Sequence, residues 1–417
     1  LIILLATFIA SGVFFMLVPG TLMGVWNLIE IGTRHSSSAA ATPWIQAHGH
    51  AQLFGWIGTF ILGIGFYSVP NLRKVCDSKF IVGWICLATW VTGVALRWLC
   101  VSSSFEWRML LPLSALLELI AVVLFTWITV KGSRINKTAA KPLEAWSMLL
   151  ISGTMLWLLV MSANLALSIQ LAAKGAEPLI ALEAGHKLLY AAVWGWVVPT
   201  VWGLSAKWLT VFLGLAPAKS RLLKLALILS LLGVTANTFS FSLAAQLLVL
   251  SSCISFVSGL RLFNAQVEQP RILGVHPSFP AYVKVAFAWL LISAGLFLAS
   301  ALSPGAAGLS GAARHAITVG FFSSMVFSVG PRILPAFLGR RKIFSEKLMF
   351  WGLSLLTIGC FLRVVSQILA YDFAIRICWT VLPISALIEL SAISVFAFNM
   401  LATLFEKAIV DEILASA

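Results

Sequence analysis

Charge is scarce in this chain. Of 417 residues only 10% are Asp, Glu, Lys or Arg, while 60% are hydrophobic. A soluble protein of this length needs a charged surface, so the composition excludes a water-soluble domain and leaves lipid as the outer medium. Acidic residues are the scarcer sign, 14 against 28 Lys and Arg, giving a formal net charge of +14. The basic residues gather on no polar domain; they fall in short links between apolar runs, so no nucleic-acid partner is expected. Cysteine is limited to six residues (Cys76, Cys86, Cys100, Cys253, Cys360 and Cys378) without CxxC or zinc-site spacing, and these read as packing residues. No signal-peptide pattern opens the chain, because its first apolar run is too long for one.

What the chain has in abundance is long apolar runs. Runs of about 20 residues suffice for a ~30 Å hydrocarbon core. They centre near residues 14, 60, 90, 120, 158, 197, 231, 252, 292, 324, 359 and 390. They predict an all-α polytopic membrane protein with twelve transmembrane helices and membrane lipid as its surroundings. Short links predict one transmembrane domain over residues 1–417. The link at roughly residues 26–47 is the only one large enough for a lid. Links after the even-numbered spans hold most of the basic residues: Arg73, Lys74 and Lys79; Lys131, Arg134, Lys137 and Lys141; Lys207, Lys219, Arg221 and Lys224; Arg261, Arg271 and Lys284; Arg332, Arg340, Arg341, Lys342 and Lys347; then Lys407. This bias predicts cytoplasmic termini in a bacterial inner membrane. It puts His35, His48, His50, His186 and His315 toward the periplasmic side.

A repeat organises the spans. His50-Ala51-Gln52-Leu53-Phe54-Gly55, Tyr190-Ala191-Ala192-Val193-Trp194-Gly195 and His315-Ala316-Ile317-Thr318-Val319-Gly320 each open an apolar run. Gly93-x-x-x-Arg97, Gly233-x-x-x-Asn237 and Gly359-x-x-x-Arg363 follow in the same order, then Ser114-x-x-x-Glu118, Ser242-x-x-x-Gln246 and Ser385-x-x-x-Glu389. Phe212-Leu213-Gly214 and Phe337-Leu338-Gly339 echo at two helix ends. The shared order predicts three pseudo-threefold units of four helices, approximately residues 1–140, 141–275 and 276–417. The middle unit carries Tyr for His, Asn for Arg and Gln for Glu, so it has a different task.

Twelve helices in three units of four resemble the catalytic subunit of heme-copper oxidases. There, low-spin heme sits between histidines of the second and tenth helices, which His50 and His315 match. A His-x-x-x-Tyr on the sixth helix supplies a copper ligand and a redox tyrosine, matched in spacing by His186-Lys187-Leu188-Leu189-Tyr190. The seventh helix here lacks the histidine pair that holds copper in the oxidases, and the tenth has a single His. A conventional oxygen reductase is therefore not expected. Ala47-His48-Gly49-His50-Ala51-Gln52-Leu53-Phe54-Gly55 is similar to the opening of NnrS proteins. So is Arg314-His315-Ala316-Ile317-Thr318-Val319-Gly320, continuing through Met325, Pro331-Arg332 and Gly339-Arg340. That resemblance implies a bacterial membrane protein with heme b (one or two copies) and copper as a further metal. It also implies nitric oxide as a gaseous ligand, an electron donor, and a role in nitric oxide metabolism or nitrosative stress defence.

The residues themselves suggest roles. His50 and His315 are the first axial pair, since neutral imidazoles from facing helices suit a heme iron. On an α-helix His48 points about 200° away from His50. It would look toward His186, with Tyr190 nearby, as a second site for a heme or a copper. Each of these histidines, alone, could instead tie neighbouring helices by a hydrogen bond. Arg97 and Arg363, with Arg314 and Arg108 beside them, would hold heme propionates; otherwise they snorkel to headgroups. Glu118 and Glu389, roughly two turns into their helices, either deliver protons or tie repeats together, as Gln246 could also do. Trp44, Trp194 and Trp196 would pack on porphyrin or belong to the interfacial belts. His35 should face solvent, and His276 should be uninvolved. The alternative functions are a membrane transporter, or a heme-binding sensor or assembly protein without redox turnover. Whether there is enzymatic turnover is left open by the residues.

Overall fold

The computed structural model describes residues 2–73, 79–133 and 143–415. Lys74, Cys76, Arg134, Lys137 and Lys141 lie outside the described residues. Among the described residues twelve helices are long and apolar enough to cross a membrane: α1 (Ile2–Arg34), α2 (Thr42–Ser68), α3 (Ile81–Ser103), α4 (Trp107–Ile128), α5 (Ala145–Lys174), α6 (Leu182–Phe212), α7 (Ser220–Thr238), α8 (Ser242–Leu260), α9 (Phe279–Leu302), α10 (Ala307–Phe337), α11 (Glu346–Tyr371) and α12 (Arg376–Phe405). Helical backbone satisfies its own N–H and C=O groups, which lipid cannot do.

The expected threefold arrangement is present in the packing. The last two helices of each unit form the tightest pairs, α3 with α4, α7 with α8, and α11 with α12. The fourth helix of each unit then leans on the first of the next: α4 on α5, α8 on α9, and α12 back on α1. The glycines of the Gly-x-x-x-Arg/Asn motif make these pairs possible. A Cβ on Gly93 would lie 2.9 Å from Glu118 Cγ, and one on Gly359 would lie 2.7 Å from Glu389 Cγ. The repeat motif is thus a close-approach device, with the acidic side chain of one helix seated on the bare backbone of its neighbour. Helices α4 and α12 begin at Trp107 and Arg376. Glu118 and Glu389 are therefore three turns or more from the helix starts, ~17–20 Å at 1.5 Å per residue, deeper than the two turns expected.

The α-helical hydrogen-bond pattern is interrupted in four places by π-helical segments: Met16–Leu22 in α1, Ala51–Gly58 in α2, Ala191–Val197 in α6 and Ala316–Ser323 in α10. Three of them start directly after His50, Tyr190 and His315. Hydroxyls answer carbonyls in these wide turns, as Thr21 Oγ1 donates to Met16 O (2.8 Å) and Ser323 Oγ to Thr318 O (2.9 Å). π segments of this kind cluster at functional sites. The echoed Phe-Leu-Gly ends are helix stops, with Gly214 and Gly339 at φ +62° and +68° where a left-handed residue closes the last turn.

Two corrections concern links and aromatics. Helix α1 continues to Arg34 and α2 begins at Thr42, so the first link is residues 35–41, too short for a lid. Trp196 stacks on Trp157 (4.1 Å) and Phe54 (5.5 Å), filling the space between α2, α5 and α6. A second stack, Trp202 on Phe256 (4.3 Å) and Phe256 on Phe287 (6.0 Å), fills the space between α6, α8 and α9. Of the tryptophans considered for porphyrin, Trp194 and Trp196 are buried in the protein core, while Trp44 is half-buried and its Nε1 donates to Ser102 O of α3.

Candidate functional site

In the first unit the repeat residues meet one another. His50, 8% exposed, directs Nε2 at Glu118 Oε1 of α4 (2.7 Å), and Glu118 has no solvent exposure at all. One hydrogen is shared between His50 Nε2 and Glu118 Oε1. The nitrogen by which His50 was expected to ligate a heme iron is thus engaged with α4 in this structure. Arg97 is likewise drawn sideways. Its Nη1 donates to Asn164 Oδ1 (3.1 Å) and Ser168 Oγ (3.2 Å), both on α5, so it sews the first unit to the second. Arg108 donates to the carbonyls of Ala172 and Gly175 at the end of α5 (2.8 and 2.9 Å) and caps that helix.

In the third unit the same residue types are arranged differently. His315 Nδ1 donates to Gly311 O (2.9 Å), and its Nε2 faces Arg363 Nη2 at 3.4 Å. Arg363 is 4% exposed, yet its Nε and Nη1 have no hydrogen-bond partner. Glu389 Oε1 and Gln367 Oε1 are also buried without one. Arg314 donates to Ser310 Oγ (3.0 Å) and lies close enough to Arg363 for their charges to interact.

His48 belongs to this second group. Its Nδ1 donates to Gly20 O of α1 (2.8 Å), and its charge reaches both Arg363 and His315. The two α2 histidines diverge as helix geometry requires, but with their directions exchanged relative to expectation. His48, and not His50, shares surroundings with α10. Glycines seat it: a Cβ on Gly24 would lie 2.7 Å from His48 Cε1, and one on Gly20 the same distance from Gln52 Nε2. A backbone carbonyl only accepts, so both His48 and His315 hold their hydrogen on Nδ1 and offer a lone pair at Nε2. Metal-ligating histidines are held this way, by a carbonyl behind the ring that fixes tautomer and orientation. With two such imidazoles on separate helices and a buried guanidinium having donors to spare, the donor set fits a heme and its carboxylates.

The second proposed site is not assembled. His186 is exposed near the start of α6, and its charge interacts with that of Arg314. Tyr190 turns instead to α8, its hydroxyl donating to Gln246 Oε1 (3.3 Å) and Ala245 O (3.4 Å). Among the described residues no three His, Cys, Asp or Glu side chains form a group able to hold a metal. His35 is exposed beside Trp379, and His276 bonds Ser278 Oγ (2.7 Å) in a loop.

Sequence reasoning missed the carbonyls of Gly20 and Gly311 and the role of α1. The signal was available in Pro19-Gly20 inside the first span. Pro19 lacks an N–H, and Gly20 leaves room, so a wide turn with a reachable carbonyl is the natural outcome.

The fold and this polar end define a class: an all-helical, multi-pass membrane protein with the architecture of the heme-copper oxidases. It is similar to a chain of a heme-copper terminal oxidase dimer solved by cryo-EM, with a TM-score of 0.72 and 13% identity over 97% of this chain and 84% of that one. At that identity the likeness is one of fold. No curated protein matches the chain. Residues 6–407 match the model of the NnrS protein family, and the chain belongs to the NnrS family.

Proposed function

We propose that this protein binds heme in the bacterial inner membrane and works in nitric oxide metabolism or nitrosative stress defence. Family membership and the oxidase-like fold support that class. The observation that carries the heme reading is the matched pair His48 and His315. Each gives Nδ1–H to a main-chain carbonyl and holds a lone pair at Nε2, that of His315 facing Arg363 Nη2 at 3.4 Å, beside a buried guanidinium whose Nε and Nη1 have no partner. His48 and His315 would hold one heme b, and Arg363 with Arg314 would neutralise its propionates. When bound, the heme would supply a one-electron centre that takes a diatomic ligand such as nitric oxide by displacement of one of the two imidazoles. The chain's own part is to fix both imidazoles, keep lipid away from the carboxylates and keep the pocket cationic. The distribution of Lys and Arg supports a periplasmic-side site and cytoplasmic termini.

The test is the absorption spectrum of the purified protein before and after dithionite, then with nitric oxide. A Soret band at one heme per chain that shifts at both steps is expected. His48→Ala and His315→Ala should lose the heme, while folded His50→Ala keeps it. Folded wild-type protein without a Soret band overturns the reading and favours a transporter.

A further inference from the structure

We propose that Glu389 is a redox-linked proton acceptor, taking up a proton from water when an electron enters the site formed by His48, His315 and Arg363. This rests on the heme reading above. Glu389 is 9% exposed, and its Oε1 has no hydrogen-bond partner. It lies against Gly359 of α11, where no side chain intervenes. One turn along α11 is Arg363, whose Nη2 is 3.4 Å from His315 Nε2 and whose charge acts on Glu389. The guanidinium therefore links the imidazole to the carboxylate.

The other groups facing Glu389 leave Arg363 as the cation in its surroundings. From α11 they are Arg363 and the Cys360 thiol. From α1, Val25, Leu28 and Ile31 pack on α12 as an apolar cluster, and the Glu30–Arg34 pair sits at the far end of that helix. From α10, Phe327 stacks on Phe396. In a low-dielectric bundle a unit of negative charge arriving near Arg363 weakens its hold on the carboxylate's charge and favours protonation there. A polar stripe, Arg363, Gln367 and Tyr371, runs one turn at a time along α11 to the end of the bundle. Gln367 Oε1 in that stripe is buried and unpartnered, which suits a proton path.

The step balances simply. A one-electron reductant supplies the electron, bulk water supplies the proton to Glu389 Oε1, and no bond within the chain is broken. Glu118 differs from Glu389 in having Oε1 engaged by His50 at 2.7 Å, although its Oε2 is also buried without a partner.

The test uses the full-length, heme-loaded protein in a spectroelectrochemical titration across neutral pH. The wild-type midpoint should fall with rising pH by as much as about 59 mV per unit, the value for one proton per electron. Glu389→Gln should flatten that slope. Gln occupies the equivalent position in the middle unit as Gln246, so the fold has a precedent for it. Glu389→Asp should keep the slope, and so should Glu118→Gln. The reduced-minus-oxidised infrared spectrum should show a carboxylic acid C=O band that Glu389→Gln removes. A normal Soret band with a pH-independent midpoint, or with slope and band intact in Glu389→Gln, overturns this proposal alone. A missing Soret band overturns the heme reading, and this one with it.

Discussion

The first and third units carry His, Arg and Glu at the same repeat positions and use them in opposite ways. In the first, His50 answers Glu118 and Asn164 with Ser168 answers Arg97. In the third, Arg363 reaches only His315 among the repeat residues, and a carboxylate oxygen and two guanidinium nitrogens are left bare. Buried polar groups are normally paired, and a partly satisfied network is costly unless something else completes it. The first triad is a structural knot in which His50, Glu118 and Arg97 each have a partner, although Glu118 Oε2 and Asn164 Nδ2 are also buried without one; the third leaves Glu389 Oε1 and most of the Arg363 guanidinium open to an anionic, metal-bearing partner. One cause of the asymmetry is α1. Its π turn presents Gly20 O to His48, which directs one imidazole toward α10 and leaves the other for α4.

The most forceful way to break this comparison is to delete one histidine in each unit. His50→Ala strands Glu118 in a dry interior, and losing one partner of a buried pair costs about 3–5 kcal/mol. Thermal unfolding in detergent should show that loss, with heme content per folded chain unchanged. His315→Ala should do the reverse, with near wild-type unfolding of the heme-free protein and no Soret band. Equal destabilisation by the two variants would end the distinction between knot and site.

The arginines sharpen it. Arg97→Ala leaves Asn164 Oδ1 and Ser168 Oγ without their donor and should cost about 1–3 kcal/mol, with heme retained. Arg363→Ala should lower heme retention at least tenfold on dilution, with little change in unfolding of the heme-free chain. A smaller contrast lies in the glycines. A Cβ on Gly93 meets Glu118 Cγ and Ser114 O, both at 2.9 Å, and Glu118 is pinned by His50. On Gly359 it meets Glu389 Cγ at 2.7 Å, but Glu389 Oε1 is unbound and the side chain can move. Overpacking costs about 1–3 kcal/mol, so Gly93→Ala should sit near the top of that range and Gly359→Ala near the bottom.

The twelve spans, the threefold order and the family were legible because hydropathy and repeat spacing are properties of the chain alone. The partners of each repeat residue were legible only in part. Glu118 and Gln246 are met by their own unit's opening residue, His50 and Tyr190. Nothing in the spacing says that Arg97 turns to Asn164 while Arg363 turns to His315, since that depends on what the next unit offers. The directions that His48 and His50 take were not legible for a related reason. Helix geometry fixes the angle between the two rings but not its phase, and the phase is set by a carbonyl on a different helix. The π segments hide from a 3.6-residue reading altogether, although Pro19-Gly20 marks one of them.

The middle unit provides the mildest test, because it shows the same scaffold without charge. Tyr190, once a candidate redox group, has only two long hydrogen bonds, at 3.3 and 3.4 Å, and both go to α8. Removing its hydroxyl in Tyr190→Phe should cost about 1 kcal/mol or less and leave the absorption spectrum, the nitric oxide response and the metal content as in the wild type. The reason is geometric: the hydroxyl's two bonds both end on α8, and neither reaches α1 or α11. A spectral shift in Tyr190→Phe would mean that the hydroxyl communicates with the metal. The middle unit would then have to be counted as part of the site, not as its neutral frame.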